Sequence, residues 1–177
     1  MASMQVHQAV AKKEYNPKQF QNGTMATINN LTQSQMSLDR FMNWAGHPAT
    51  GSFPSTIARN RTAQFTHVRG GNFGSVAAVQ YSGYNALGAL CAWIVAWNAP
   101  SNDTPPDCPP NRVYAECGSK KVMDAITWDQ ILSKLDIAPT DYSDSDPSTK
   151  TSVDATIQDY TAAPTSASLI ADFKLTS

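Results

Sequence analysis

The sequence predicts an all-β protein, an antiparallel β-sandwich with one or two short peripheral helices. Three observations predict this fold class: two strongly apolar, strand-like segments at 76–82 and 89–98, further short segments with period-two alternation, and one clear amphipathic helix at 127–136. The chain has 177 residues, of which 41% are hydrophobic, and this is enough for one domain with its own core.

The first residues are polar and precede the predicted β-domain. Within 1–23, a weak helical face ends at Asn16-Pro17, because proline does not continue a helix. That face consists of Val6, Ala9 and Val10. We therefore expect a polar N-terminal segment at 1–23 and a single β-sandwich domain at 24–177.

Three strands are predicted before the apolar centre of the chain. The segments 25–29 and 37–44 alternate and are separated by a polar turn. A loop follows from Trp44 to Pro54, with two Pro and two Gly in eleven residues. Residues 56–69 alternate again, and the pair Gly70-Gly71 ends this strand.

The most apolar stretch, 74–100, carries apolar side chains on both faces of its two segments. Strands of that kind lie in the middle of a sheet, covered on both sides. The intervening residues SGYNALGA include Ser, Gly and Asn, which favour turns. The stretch is therefore predicted to be a β-hairpin whose loop is longer than two residues.

The remaining elements are predicted from local pattern. The segment 101–111 has four Pro and predicts a stiff loop, and 111–119 is a strand with Arg112, Tyr114 and Glu116 on one face.

Thr127 and Gln130 have the spacing of a capping box. The helix that they begin carries an apolar stripe formed by Trp128, Ile131, Leu132 and Leu135. The charged, Ser-rich segment 141–150 is predicted to be a loop, and strands at 153–157 and 169–175 close the domain.

Composition disfavours several classes of function. The formal net charge is −1 and no long Lys or Arg cluster occurs, so we expect no nucleic-acid partner. The three histidines, His7, His47 and His67, do not have metal-ligand spacing, and no nucleotide or hydrolase motif occurs. Cys91, Cys108 and Cys117 have no Cys-x-x-Cys spacing. We therefore expect no enzyme activity, no metal and no cofactor.

The sequence has no continuous apolar run typical of a secretory signal and none long enough to span a bilayer. We expect the protein to be cytoplasmic as synthesised and to act peripherally on membrane or cell surfaces.

Aromatic side chains indicate a binding function. Trp93 and Trp97 lie on one face of a central strand, where core packing is expected. Tyr81, Tyr84, Tyr114 and Trp44 fall instead at strand ends or beside loops. Exposed Tyr and Trp rings hold quaternary ammonium groups by cation–π attraction or lie at the headgroup level of a bilayer.

An ordered series of motifs resembles a known group of proteins. INNLTQSQMSLDRFMNWAG and FPSTIARNRTAQFTHVRGG are followed by VAAVQYSGY, CAWIVAWNAP and NRVYAECG. In this order the sequence resembles the actinoporin-like sandwich proteins. Within that superfamily it more closely resembles the nakanori type, mushroom proteins that bind sphingomyelin with cholesterol, and the related jasmonate-induced plant proteins. The motifs cover residues 25–135, and the C-terminal strands match by pattern.

The resemblance implies a phosphocholine pocket built from the hairpin strand, its turn and the Arg-x-Tyr strand. Carried over by position, the ligand-binding residues are Tyr81, Gly83, Tyr84 and Tyr114, with Trp44 and His47 in the neighbouring loop. Where actinoporins place further tyrosines, this chain has Glu116, Cys117 and Gly118. The implied pocket is therefore poorer in aromatic rings or is formed differently.

These features favour a lipid-binding protein that recognises sphingomyelin in cholesterol-containing membranes. Two alternatives stay open. Mushroom fruit-body lectins resemble the same sandwich, and aromatic rings stack on sugars as they cage choline, so glycans are a second class of ligand. The jasmonate-induced relatives are compatible with a stress-induced defence protein that has no small ligand.

We predict that the protein binds membranes without permeabilising them. To cross a bilayer, residues 1–23 would have to bring Lys12, Lys13, Glu14 and Lys18 into hydrocarbon. Each charge costs about 2.5–3.5 kcal/mol near the bilayer centre, more than the short apolar patch returns. Deletion of 1–20 should leave lipid binding almost unchanged. Dye release from sphingomyelin–cholesterol vesicles at saturating protein checks this, and leakage that the deletion abolishes would contradict it.

Overall fold

The protein is a two-layered β-sandwich with two helices on one outer face. The computed structural model describes residues 23–100, 110–159 and 166–176. The strands are β1 (Gly23–Leu31), β2 (Met36–Ala45), β3 (His47–Pro48), β4 (Thr56–Ile57), β5 (Arg61–Val68), β6 (Ser75–Tyr84), β7 (Leu90–Ala99), β8 (Arg112–Ser119), β9 (Asp141–Asp146), β10 (Thr151–Asp159) and β11 (Ser166–Leu175). The helices are α1 (Lys120–Ala125) and α2 (Trp128–Leu135).

The strands form two sheets. Sheet A has the order β3-β5-β1-β11-β10-β9, and sheet B has the order β4-β2-β6-β7-β8. The hairpin strands β6 and β7 pair antiparallel and lie inside sheet B, which confirms the central position predicted for them. One pair departs from a purely antiparallel arrangement, since β1 and β11 run parallel. These strands are far apart in sequence, so no short turn forces them to be antiparallel.

The hairpin buries one face against sheet A. Ala77, Val79 and Tyr81 of β6 and Trp93 and Trp97 of β7 have no accessible surface. They pack in the inner core with side chains of sheet A, including Ile28, Val153, Leu169 and Phe173. The ring of Trp93 stacks on Phe173 at a centroid distance of 6.2 Å. Both tryptophans are therefore core residues, as expected for Trp of a central strand.

The opposite face of the hairpin is covered by the helices. Ala78, Ile94 and Ala96 pack against Ile131 and Leu135 of α2 in a second apolar cluster. The capping box is present, with Thr127 Oγ1 accepting a hydrogen bond from the Gln130 backbone and Gln130 Oε1 accepting one from the Thr127 backbone. The predicted helix is confirmed. The six residues of α1 have no side-chain cap, so the sequence offered no signal for it.

The segment 141–150 was expected to be a loop, and this expectation is wrong for its first six residues, which form β9. Asp and Ser have low strand propensity, but tertiary contacts override it. Strand β9 pairs with β10, and its Tyr142 ring contacts Tyr114 at a centroid distance of 4.8 Å. Acidic side chains are common on edge strands, where they discourage pairing with other chains.

A buried polar cluster joins the two sheets beside the start of β6. Ser75 Oγ of sheet B lies 2.7 Å from Thr24 Oγ1 and 2.9 Å from His67 Nδ1, both in sheet A. Trp97 Nε1 donates to the same hydroxyl at 3.1 Å, and His67 Nε2 lies 3.1 Å from Asn43 Oδ1. Because Asn43 Oδ1 is an acceptor, His67 carries its proton on Nε2, and Nδ1 accepts from Ser75. Neutral His67 is thus satisfied on both nitrogens.

The free energy of unfolding should decrease as the pH is lowered, because of this histidine. Burial, together with the charge of nearby His47, lowers the pKa of His67 to about 4. His67 is protonated near pH 6.5 in the unfolded chain but only near pH 4 in the folded protein. The stabilisation that neutral His67 gives is therefore complete above pH 6.5 and is lost as the pH falls toward 4. We expect a loss of roughly 2 kcal/mol in the free energy of unfolding between pH 7 and pH 5.

Urea unfolding at pH 7 and pH 5, compared between the parent and His67→Gln, measures this loss. The variant should be less stable at pH 7 and should lose less stability on acidification. Equal pH dependence in the two proteins would contradict the assignment.

Candidate functional site

One end of the sandwich combines a groove with exposed apolar side chains. We call it the hairpin end; it consists of the β6–β7 turn (84–90), the β1–β2 turn (31–35), the β9–β10 turn (147–150) and residues 175–176. The groove has a volume of about 400 Å³. It is lined by Gln33, Asn85, Ala86, Leu87, Lys150, Leu175 and Thr176. Four separate segments of the chain therefore build one concave surface.

Hydrogen bonds hold the β6–β7 turn in one shape. Asn85 Oδ1 accepts from the backbone N–H groups of Leu87 at 3.0 Å and Ala89 at 2.8 Å. Asn85 Nδ2 donates to the carbonyl of Thr149 at 2.8 Å, which ties this turn to the β9–β10 turn. Gly88 has φ of +75°, a conformation that glycine adopts without strain. The turn is thus pre-organised before any ligand arrives.

The β1–β2 turn is attached to the hairpin by Ser34. Its hydroxyl accepts from the Tyr84 N–H at 2.8 Å and donates to the Tyr84 carbonyl at 3.0 Å. Gly83 lies beneath this contact, where a Cβ atom would approach Ser34 Oγ to 2.9 Å. A side chain at position 83 would therefore push the two turns apart.

Large apolar side chains at the hairpin end are exposed to solvent. Tyr84 is 55% exposed and Leu87 is 73% exposed, and Leu90 and Leu31 are exposed as well. Single exposed leucines are common on protein surfaces, but apolar side chains grouped beside a groove are less common and make this end a candidate site. A tyrosine next to leucines is the pattern found where proteins meet the headgroup region of a bilayer.

The β9–β10 turn presents Lys150 beside the groove. Lys150 has φ of +54°, and its carbonyl accepts from the Thr176 N–H at 2.9 Å. The turn is also closed by Asp146, which accepts from the Ser148 hydroxyl at 2.6 Å and the Thr149 hydroxyl at 2.8 Å. These hydrogen bonds, first of all that from the Ser148 hydroxyl, lower the pKa of Asp146. The Asp146 carboxylate therefore accepts hydrogen bonds from its own turn.

Two of the residues expected in a phosphocholine pocket meet at the hairpin end, since Tyr84 belongs to it and Gly83 precedes it directly in β6. Tyr81 does not, because its side chain faces the inner core. It has no accessible surface, and its hydroxyl donates to the Pro54 carbonyl at 2.7 Å. Burial also raises the pKa of the Tyr81 phenol well above its ordinary value. In this structure Tyr81 is a packing residue.

Tyr114 lies on the other side of sheet B, beneath α2. Its hydroxyl donates to Glu116 and accepts from Lys134 Nζ at 2.9 Å, and the same ammonium lies 5.2 Å from the centre of its ring. Burial and the Glu116 carboxylate raise the pKa of the Tyr114 phenol. Glu116 and Lys134 also line an open groove of about 540 Å³ between the helices. The protein's own lysine thus occupies the cation–π position that a choline would take.

Trp44 and His47 lie at the opposite end of the sandwich. Ala45 pairs with Val76 and His47 pairs with Val68, whereas Tyr84 terminates the far end of β6. Trp44 packs edge-to-face on Trp128 at a centroid distance of 6.3 Å, and His47 is exposed. The structure therefore brings Gly83 and Tyr84 together and leaves Tyr81, Tyr114, Trp44 and His47 in three other places.

The groove residues Gln33, Leu87 and Lys150 were absent from the sequence-based site. Leu87 had a usable signal, because an apolar residue in a turn that contains Asn and Gly has no packing role there. Lys150 had none, since nothing in DPSTK indicates that this turn meets the hairpin.

Other chemistry is sparse in the part of the chain that the structure describes. Within it, no three His, Cys, Asp or Glu side chains are grouped closely enough to hold a metal ion. Cys91 and Cys117 are free and buried, and burial raises the pKa of Cys117 to about 12. Cys108 lies outside the described residues. No helix among residues 23–100, 110–159 and 166–176 is long and apolar enough to span a membrane.

Comparisons with known proteins were made for sequence and for fold. The family model of Nakanori-like proteins matches residues 1–170. A jasmonate-induced protein homolog of the plant Atriplex canescens is 38% identical over 137 residues, which cover 77% of this chain and 73% of that protein. The crystal structure of the lipid binding protein Nakanori superposes with a TM-score of 0.70 at 14% identity, covering 86% of this chain and 71% of Nakanori. At that identity the superposition shows the fold.

We predict that Tyr81→Phe lowers the free energy of unfolding by about 1–2 kcal/mol, because the Pro54 carbonyl loses its donor. Urea denaturation measures the change. Tyr84→Phe is the matched control, since its ring is exposed, and it should stay within about 0.5 kcal/mol of the parent. Equal effects of the two substitutions would contradict the structural role of Tyr81.

Proposed function

This chain belongs to the Nakanori-like protein family, and from that premise we propose that it binds lipid at membrane surfaces through its hairpin end. The lipid we propose is sphingomyelin in cholesterol-containing bilayers, the class that the resemblance of the sequence implies. We propose that it acts as a peripheral binding protein and not as an enzyme.

The proposal rests mainly on one observation, a group of exposed apolar side chains on a turn that hydrogen bonds hold in place. Tyr84, Leu87 and Leu90 project from the end of a hairpin whose strands are held in the sheet and whose turn is tied to Ser34 and Thr149. Binding loses little conformational entropy in this turn, because the turn is already ordered in the free protein. A rigid apolar tip is suited to shallow insertion into a bilayer.

The expected gain from such insertion is moderate. Full burial of one leucine side chain is worth about 1.5–3 kcal/mol, so two leucines give weak, reversible binding on their own. Polar contacts with the headgroup have to add to it. The groove beside Leu87 supplies polar groups, and Tyr84 has an exposed ring that can face the ammonium of a choline or an ethanolamine headgroup from one side.

Leu87→Ala should weaken vesicle binding roughly tenfold, and Tyr84→Ala should weaken it several-fold. The measurement is co-sedimentation with liposomes of sphingomyelin, of phosphatidylcholine, and of sphingomyelin with cholesterol. The matched control is Ile137→Ala, because Ile137 is 84% exposed and follows α2 near the opposite end, where Arg112 Nη1 contacts the Ala138 carbonyl. This control should bind like the parent.

Two results would contradict the proposal. If Ile137→Ala loses as much binding as Leu87→Ala, the membrane-facing surface is elsewhere. If the parent binds no liposome but binds glycans on an array run in parallel, the protein is a lectin on the same fold.

A further inference from the structure

Lys150 is the one formally charged residue among those that line the groove of the hairpin end. The other six are Gln33, Asn85, Ala86, Leu87, Leu175 and Thr176. The Asn85 side chain already forms hydrogen bonds with the β6–β7 and β9–β10 turns. Gln33 and Thr176 are therefore the other polar side chains of the groove that remain for a ligand. A positive charge with apolar residues around it is complementary to an amphiphile that carries a negative group next to its apolar part.

The charge of Lys150 is not neutralised within the protein, as far as the described residues show. Lys120, Lys134 and Lys174 each form an ion pair with Asp or Glu, at distances between 2.6 and 2.9 Å. The side-chain ammonium of Lys150 has no hydrogen-bond or ion-pair partner among residues 23–100, 110–159 and 166–176. The nearest acidic residue along the turn, Asp146, is bound to the hydroxyls of Ser148 and Thr149.

The backbone of Lys150 is held firmly in place. Its carbonyl accepts from Thr176, and the preceding carbonyl, that of Thr149, accepts from Asn85. The Thr149 hydroxyl lies 2.8 Å from that of Thr151. The backbone of Lys150 is therefore fixed beside the groove that Leu87 also lines, so binding an anion there has to order only the lysine side chain.

Building on the proposed function, we infer that Lys150 is a specificity-determining residue that binds the phosphate of a lipid headgroup while Leu87 contacts the apolar part of the same bilayer. The phosphate, and not the quaternary ammonium, is then the group that the site requires. Tyr81 is in the core and Tyr114 is occupied by Lys134, so neither ring completes a choline cage with Tyr84. Replacement of choline by ethanolamine is therefore tolerated, and removal of the phosphate is not.

The experiment uses vesicles of digalactosyldiacylglycerol and cholesterol, two uncharged lipids without phosphate, as the carrier. Binding of the full chain is measured to the carrier alone, to carrier with sphingomyelin, and to carrier with the same fraction of ceramide phosphoethanolamine. Both phosphate-containing vesicles should bind about equally and roughly tenfold more tightly than the carrier, the size expected for one charge-assisted hydrogen bond. Inorganic phosphate at matched ionic strength should leave vesicle binding unchanged.

Lys150→Met should reduce binding of the phosphate-containing vesicles to the level of the carrier, and Lys150→Arg should retain most of it. Arg112→Met is the matched control, since Arg112 begins β8 at the opposite end of the sandwich, where it pairs with Asn98, and its loss removes the same charge. That control should bind like the parent. Thermal unfolding of each variant shows that the fold is intact.

Several outcomes would overturn the inference. If the carrier binds as tightly as the phosphate-containing vesicles and free galactose displaces the protein, the sugar of the carrier is the ligand. If the carrier binds as tightly and galactose leaves this binding unchanged, or if Lys150→Met binds like the parent, phosphate is not recognised by Lys150, and lipid binding through Leu87 still stands. Equal losses in Lys150→Met and Arg112→Met would mean a non-specific charge effect. Displacement by inorganic phosphate would mean that free phosphate is the ligand. If none of the three vesicles binds the parent, the proposed function fails and the inference fails with it.

Discussion

The hairpin of β6 and β7 has to be buried on both faces, and the rest of the domain is arranged to meet that requirement. Trp93 and Trp97 project to one side, and Ile94 and Ala96 project to the other. A single partner sheet covers one side only. Sheet A therefore packs on the tryptophan face, and α1 and α2 cover the opposite face, which gives three layers from one strand pair.

This arrangement leaves the exposed side chains of the hairpin at the ends of the sandwich. Both faces of the central strands are buried by packing, so the exposed side chains of the hairpin lie where β6 ends and β7 begins. The two ends differ in character. Near the start of β6, Ser75, His67 and Thr24 form a buried polar contact between the sheets. The other end has a groove lined by Lys150, whose ammonium has no ion-pair partner among the described residues. Loops on a rigid sandwich are where binding sites commonly occur.

Local signals succeeded where the physical cause is local. The capping box of Thr127 and Gln130 and the alternation of Val113, Tyr114 and Ala115 depend on neighbours within a few residues, and the structure has both. Signals failed where tertiary contacts supply the stabilisation. Strand β9 is held by β10 and by the contact between Tyr142 and Tyr114, neither of which is visible in DYSDSD.

The sequence alone determined the fold class, the central hairpin, the faces of β8 and the position of α2, because apolar periodicity dictates which side chains must leave water. It could not determine which aromatic rings meet. Tyr114 pairs through Ala96 with Ala78, three residues before Tyr81, and successive residues of a strand face opposite sides of the sheet. An odd separation therefore puts the two tyrosines on opposite faces. The meeting of Leu87 with Lys150 likewise depends on the packing of sheet A against sheet B, which brings together turns more than sixty residues apart in sequence.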